Sequence, residues 1–299
     1  MGMLFFLGFE LLRDMLFSAA LFPLPVNDYG MVRYRSIPWM TILLIFINCS
    51  VFAFWQSPKV YALERMIVAL DPDDMNISDD LYRATRDYYD GVVDVWTFGY
   101  RAQTVQMGLG VGAFVAFTSM FMHGSFSHLI GNMLYLWAFG RRLEDACGPW
   151  RFLLFYLCCG MIAGIGSAII KTRGLDLPSV GASGAIAGVL GGYLLLFPGA
   201  SIACLWGIGL ILRTLYWGMA QIFGFDEVKW TWTVRMRAFF LLAAFAAMNI
   251  VPSLEIIQEG SNIVGIDYLA HLSGFLGALI IFLFVRKDLL ARYFSGRRL

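Results

Sequence analysis

Residues 179–193 read SVGASGAIAGVLGGY and place one serine, Ser183, at the start of a run of small residues. From Ser183 onward, small residues recur every four positions, so on a helix they form one face that another backbone can approach closely. The last apolar segment, DYLAHLSGFLGALI (residues 267–280), repeats this spacing in Ala270, Gly274 and Ala278. The pattern predicts two closely packed helices.

The overall composition is that of a polytopic membrane protein. The 299 residues are 59% hydrophobic and 14% charged, well below the roughly 25% charged content of soluble domains. Apolar stretches of about 20 residues are long enough to span a bilayer as helices. We expect an all-α polytopic membrane protein with six spans, at residues 37–55, 123–143, 150–170, 181–199, 236–253 and 263–285.

Basic residues predict the orientation of these spans. Pairs of arginines flank alternate span ends on one side, which makes that side cytoplasmic: Arg33 and Arg35, Arg141 and Arg142, Arg235 and Arg237. The tail 286–299 carries five basic residues and one acidic residue, whereas segment 56–106 carries nine acidic and five basic residues. We therefore expect both termini in the cytoplasm and an acidic external loop.

The domain organisation follows from these spans. We expect a cytoplasmic or interfacial segment 1–36 with an N-terminal interfacial helix, a six-span domain 37–285 and a basic cytoplasmic tail 286–299. Within the six-span domain, 56–122 is the external loop. The apolar stretch 201–234 is not a seventh crossing, because the spans of Ser183 and His271 must both begin outside if the two residues are to meet. We expect a cytoplasmic interfacial insertion there.

Ionisable and polar groups inside spans are costly and indicate function. The only histidines of the chain, His123, His128 and His271, all lie in or at the edge of predicted spans. In HGSFSHLIGN (residues 123–132), His128 and Asn132 are four residues apart and share one helix face. Each imidazole alone could be a packed core side chain, but three together favour a site.

A serine and a histidine at similar depth predict nucleophilic catalysis. His271 lies about two turns into the last span, so it can accept the proton of Ser183 and activate the hydroxyl. His128 and Asn132 then stabilise the oxyanion. Asp267, four residues before His271, could orient the imidazole.

The sequence has no HExxH motif and no intramembrane aspartate pair, so we expect no metal and no cofactor.

These motifs resemble those of the rhomboid intramembrane serine proteases over roughly residues 37–285. HGSFSHLIGN resembles the family's HxxxxHxxxN pattern, GASG its nucleophile motif and AHLSG its AHxxG motif. FGRRLEDACGPWRFLLFY resembles the turn between the second and third spans. Two departures are Ala278, where the family often has glycine, and the long stretch 201–234.

The resemblance implies a rhomboid-like six-helix bundle with a catalytic Ser183–His271 dyad. It implies oxyanion or supporting roles for His128, Asn132 and His123, joined by the backbone amide of Ser183. Structural roles fall to Glu144, Arg151, Gly181, Gly184 and Gly274. It also implies an endopeptidase that cleaves single-pass membrane proteins near the outer face. We expect the protein in the plasma membrane, with the lipid bilayer as surroundings and no nucleic acid partner.

Three other interpretations remain. A catalytically inactive relative would bind membrane proteins without cutting them, although such relatives lose the serine or the histidine, and both are present here. A transporter would need polar residues reaching both faces, whereas this polar cluster lies in the external half. Serine, histidine and asparagine also hydrogen-bond neighbouring helices in ordinary bundles.

Overall fold

The computed structural model describes residues 23–29, 36–69, 79–106, 108–171, 177–223, 230–259 and 266–285. Most of the expected interfacial segment 1–36 and all of the tail 286–299 lie outside the described residues. The domain boundaries that depend on those segments stay predictions.

Helices dominate the described part of the chain. Before the site they are α1 (Trp39–Val60), α2 (Ala62–Ala69), α3 (Asp79–Phe98), α4 (Ala102–Gln106) and α5 (Leu109–Ser119). Helix α6 begins as Phe126–Tyr135, passes through a π-helical turn at Leu136–Gly140 and ends as Arg141–Cys147. The later helices are α7 (Pro149–Ile170), α8 (Ser183–Leu196), α9 (Gly207–Ile222), α10 (Ala238–Glu259) and α11 (Tyr268–Val285).

The predicted polytopic helical fold is confirmed, and each predicted span coincides with a helix. Within the described residues, three helices are long and apolar enough to cross a membrane: Trp39–Val60, Pro149–Ile170 and Ala238–Gln258. Helices α8 and α11 are apolar but shorter, and α6 ends in the charged sequence RRLED. The count of six crossings therefore stays a prediction.

Helix α8 forms the centre of the bundle, packed against α7 and α11. Every residue from Gly184 to Tyr193 is buried. A Cβ on Gly184 would lie 2.6 Å from Ala163 Cβ on α7, and a Cβ on Gly274 would collide with the carbonyl oxygen of Gly184. The two helices on either side of α8 thus approach it at backbone distance, which larger side chains would prevent.

Ala278, the departure from the family's usual glycine, also lies in this contact. It is fully buried, and a Cβ on Gly191 would lie 3.2 Å from its Cβ. The residue that faces Ala278 on α8 is Gly191, which has no side chain. The methyl group of Ala278 therefore fits between the two helices. The glycine on α8 therefore compensates for the alanine on α11.

A three-stranded antiparallel sheet lies beside the helices and was not predicted from the sequence. Its order is β1 (Leu24–Tyr29), β2 (Ser201–Leu205) and β3 (Val234–Arg237), with Leu24 paired to Leu205 and Ser201 to Arg237. Strands of four to six residues carry a weak sequence signal, because so few positions hardly show the alternation of apolar and polar residues that is typical of a strand. Their pairing partners are also distant in the chain. The sheet corrects the purely helical prediction.

The described part of the stretch 201–234 accordingly contains strand β2, helix α9 and the first residue of strand β3. Helix α9 has an apolar stripe at helical spacing that is exposed in the structure: Ile208, Ile211, Leu212, Leu215, Met219 and Ile222. Only Gly209 and Ala220 are buried within it. The expected interfacial position of this insertion stays a prediction.

The sheet and the basic residues of α6 lie at the same end of the molecule. Arg142 Nε lies 2.7 Å from Asp28 Oδ2 in a buried ion pair, and Arg141 Nη2 donates to Asn27 Oδ1 at 2.8 Å. Strand β2 follows the C-terminal end of α8, whereas Ser183 lies at its N-terminal end. Fourteen helical residues span about 20 Å, so Ser183 lies far from this basic end.

The region predicted as the external loop, 56–122, is largely helical where it is described. Helix α1 continues to Val60, five residues beyond the predicted span, through a π-helical segment at Phe52–Gln56. Arg65 Nη2 lies 2.7 Å from Asp87 Oδ2 and Lys59 pairs with Asp94, which joins α1 and α2 to α3. The loop is therefore an ordered helical subregion in its described part.

Candidate active site

Ser183 and His271 lie in direct hydrogen-bond contact. The distance from Ser183 Oγ to His271 Nε2 is 2.7 Å, within the range of a hydrogen bond. Ser183 is the first residue of α8, and His271 lies in the first turn of α11. The backbone contact between Gly184 and Gly274 brings these two helix ends together. A hydroxyl and an imidazole nitrogen in this geometry can act as a nucleophile and a base.

The residues before Ser183 are held by backbone hydrogen bonds to the described part of region 56–122. Ser179 and Tyr100 exchange two backbone hydrogen bonds, at 2.9 and 2.7 Å, and Gly181 N donates to Ser119 O at 2.9 Å. Gly181 has φ +133°, and a Cβ there would lie 2.8 Å from His128 Cε1. Glycine is therefore required both by the backbone conformation and by the imidazole beside it.

The second nitrogen of His271 contacts a residue that was not predicted from the sequence as part of the site. His271 Nδ1 lies 2.9 Å from Asn249 Oδ1 on α10. Phe245, one turn earlier on α10, has its ring 6.1 Å from the imidazole centroid. The signal was available, because Asn249 is a polar residue within an apolar span. It was missed because it belongs to none of the recognised motifs.

The carboxylate of Asp267, whose orienting role the sequence left open, makes no hydrogen bond to the imidazole of His271. Its carboxylate accepts from Ser167 Oγ at 2.9 Å and from the backbone nitrogen of Ala270 at 3.0 Å, and lies 2.8 Å from Lys171 Nζ. These contacts cap the start of α11 and join it to the end of α7. Asp267 thus anchors the helix that carries His271.

Two of the predicted oxyanion donors, His128 and Asn132, lie on α6, and the third is the backbone N–H of Ser183 at the start of α8. The His128 ring packs against Gly181, two residues before Ser183. Asn132 is 8% exposed, and its Nδ2 has no hydrogen-bond partner among the described residues. A buried donor without a partner is costly and is free to donate to a developing negative charge. The backbone N–H of Ser183, at the helix N-terminus, is a further donor.

His123 is completely buried, and its ring centroid lies 5.2 Å from that of His128 in an edge-on arrangement. The backbone nitrogen of His123 donates to Gln56 Oε1 at 3.0 Å. Ser125 caps α6 by accepting from His128 N at 3.1 Å. His123 therefore packs behind His128 and limits its movement, which agrees with a supporting position.

The predicted structural residues differ in their surroundings. Glu144 is 1% exposed, and its carboxylate accepts from Met40 N at 2.9 Å and from Thr41 N and Oγ1, both at 2.8 Å. It thus joins α6 to the first turn of α1. Arg151 is exposed in the first turn of α7, and its side chain has no hydrogen bond to any described residue. The structure gives Arg151 no anchoring contact.

A cavity opens beside Ser183, with Gly160, Ala163, Gly164 and Gly181 among its lining residues. Small lining residues leave room for a side chain next to the nucleophile. Among the described residues, no group of three or more His, Cys, Asp or Glu side chains forms a metal site. The chemistry offered here is that of a serine nucleophile and a histidine base.

Comparison with protein families gives one domain match, in which the rhomboid domain model aligns with residues 112–288. This range covers α6, α8, α10 and α11 and all the residues of the site. The match includes more than half of the chain.

Several curated relatives match as well. Rhomboid protein 1, mitochondrial, of Saccharomyces cerevisiae is 28% identical over 207 residues, which is 68% of this chain and 49% of the yeast protein. Rhomboid protease GluP of Bacillus subtilis is 42% identical over 77 residues, or 26% of this chain and 14% of GluP. RHOMBOID-like protein 5 of Arabidopsis thaliana is 39% identical over 75 residues, or 25% and 24% of the two chains. The chain thus spans less than half the length of each of these relatives.

Proposed function

Because the chain belongs to the rhomboid family, whose members are intramembrane serine proteases, we propose that it is an intramembrane serine endopeptidase with a Ser183–His271 dyad. The observation that supports this proposal most directly is the 2.7 Å contact between Ser183 Oγ and His271 Nε2. A non-catalytic relative would have no need of a base at hydrogen-bond distance from the hydroxyl.

The proposed reaction begins when Ser183 Oγ attacks a peptide carbonyl carbon and His271 Nε2 takes the hydroxyl proton. The negative charge on the former carbonyl oxygen is stabilised by Asn132, His128 and the backbone N–H of Ser183. His271 then gives its proton to the leaving amine as the peptide bond breaks. Water, activated by the same imidazole, hydrolyses the acyl group on Ser183.

We propose single-pass membrane proteins as substrates, cut in or near their transmembrane segments. Seven of the fourteen residues that line the cavity beside Ser183 are glycine or alanine, which supports a small residue next to the scissile bond. A peptide bond inside a helix is shielded by its own hydrogen bonds, so the cut segment must unwind locally. Glycine or proline near the site of cleavage lowers the cost of unwinding.

The test compares purified wild-type protein with the Ser183→Ala variant in detergent, on a generic single-span substrate. Ser57→Ala is the matched control, because its hydroxyl bonds only the carbonyl of Ala53 within α1, away from the dyad. Wild type and control should cleave and Ser183→Ala should not. Cleavage that survives in Ser183→Ala would refute the proposed mechanism.

We also propose that this integral membrane protein lies in a plasma membrane with both termini in the cytoplasm. The arginines of α6 and of β3 lie at the end of the molecule opposite Ser183, which supports one basic, cytoplasmic side. Fusion of reporter enzymes to each terminus tests this. Activity of a reporter that works only outside the cytoplasm would refute the orientation.

A further inference from the structure

Asn249 has two hydrogen bonds that together fix the orientation of its amide. It is 5% exposed, its Nδ2 donates to Phe245 O at 2.8 Å, and its Oδ1 lies 2.9 Å from His271 Nδ1. A backbone carbonyl oxygen only accepts hydrogen bonds. The amide nitrogen must therefore face Phe245, and the amide oxygen must face the imidazole.

This orientation in turn fixes the protonation of the imidazole. An amide oxygen only accepts, so Nδ1 of His271 must carry a proton to make the hydrogen bond. In a neutral imidazole the other nitrogen then has a free lone pair. That nitrogen is Nε2, which lies 2.7 Å from Ser183 Oγ. Asn249 thereby selects the tautomer that can accept the serine proton.

We propose that Asn249 is a positioning residue that acts through His271 as the third member of the site. This inference rests on the proposed function, because it concerns the same proton transfer. When the Ser183 O–H bond breaks, the proton forms a bond to Nε2, while Nδ1 keeps its own proton. Asn249 Oδ1 then accepts from an imidazolium instead of a neutral ring, and that hydrogen bond becomes stronger. No proton reaches Asn249.

The surroundings of His271 leave this role to Asn249 alone among the described residues. The carboxylate of Asp267 is occupied by Ser167, Ala270 and Lys171. The ring of Phe245, on the same helix as Asn249, packs 6.1 Å from the imidazole centroid and restricts its rotation. Helix α10 thus holds the imidazole by one polar and one aromatic contact.

The kinetic test uses two variants of Asn249. Asn249→Leu keeps the approximate volume and removes the acceptor, and kcat should fall roughly 10- to 100-fold with little change in KM, because the lost hydrogen bond is to a charged group. Asn249→Asp keeps an acceptor oxygen, so kcat should recover to above that of the leucine variant. An unchanged kcat in Asn249→Leu would overturn the proposal, as would equal losses in both variants.

Asn48 offers a matched control on α1. It is fully buried, and its Nδ2 donates to Leu44 O, four residues earlier, at 2.8 Å. This is the same local bond that Asn249 makes to Phe245, but without an imidazole partner. Asn48→Leu should therefore keep the kcat of wild type. A loss equal to that of Asn249→Leu would show a general effect of buried asparagine and overturn the proposal.

A second measurement does not depend on cleavage. Nitrogen-15 NMR of histidine-labelled protein in detergent reports which ring nitrogen carries the proton, with His271 assigned by loss of its signal in His271→Gln. Neutral His271 should be protonated on Nδ1 in wild type and should lose that preference in Asn249→Leu. Protonation on Nε2 in wild type would overturn the role of Asn249. Failure of wild type to cleave with the Nδ1 tautomer present would instead refute the proposed function.

Discussion

Gly274→Ala should separate the two helices that carry the dyad. A Cβ at this position would collide with the carbonyl oxygen of Gly184 and lie 3.2 Å from Ala163 Cβ. Backbone atoms of a packed helix cannot rotate away as a side chain can. Relief of the collision requires α11 to move away from α8 by about 1 Å.

Two opposing effects set the change in stability. Replacing glycine by alanine inside a helix gains about 1 kcal/mol in propensity, while overpacking costs about 1–3 kcal/mol. The free energy of unfolding should therefore fall by about 0–2 kcal/mol. Catalysis has no such compensation, because a shift of about 1 Å takes the 2.7 Å contact of Ser183 and His271 out of hydrogen-bond range. We expect kcat to fall about 100-fold.

The assay measures kcat on a single-span substrate and Tm on the same preparation. Gly218→Ala is the matched control, because it lies inside α9 and a Cβ there meets nothing within 4 Å. The control should keep the kcat of wild type. If Gly274→Ala also kept it, the backbone contact between α8 and α11 would not be what positions the dyad.

Four further predictions concern the site and its surroundings. His271→Ala should abolish cleavage as completely as Ser183→Ala, and the double variant should be no worse than either, because the two act as a unit; a much slower double variant would contradict the dyad. Asn132→Ala should retain activity reduced roughly 10²- to 10³-fold in a kinetic assay, since other oxyanion donors remain, and an unchanged rate would assign Asn132 to packing. Replacing glycine or proline near the cut of a substrate with leucine should slow its cleavage, and equal rates across such a series would contradict local unwinding. A cysteine at Thr214 on α9, in a background without the native cysteines, should resist an impermeant thiol reagent in intact cells, and labelling from outside would refute the cytoplasmic position of the insertion.

Much of the site could be predicted from the sequence because its residues stand out against an apolar background. Ser183 and His271 each lie beside regularly spaced small residues in an apolar segment, and both signals are local. The partner of His271 Nδ1 was not predictable in the same way. Asp267 precedes His271 by one turn, yet its carboxylate turns toward Lys171, while Asn249 reaches the ring from another helix. The spacing of residues in the sequence does not show whether Asp267 or Asn249 contacts the imidazole of His271.

By itself the sequence determined the membrane class, the approximate positions of the helices that match the predicted spans, and the candidates for nucleophile and base, because hydropathy and helical spacing are properties of consecutive residues. The tertiary structure decided what depends on contacts between distant segments. In the tertiary structure residues 24–29 pair with 201–205 in a sheet. The carboxylate of Glu144 accepts a hydrogen bond from the first turn of α1, and Asn249 contacts the imidazole of His271. These contacts join segments more than twenty residues apart in the chain. Their formation depends on how the helices pack in three dimensions, which no local pattern encodes.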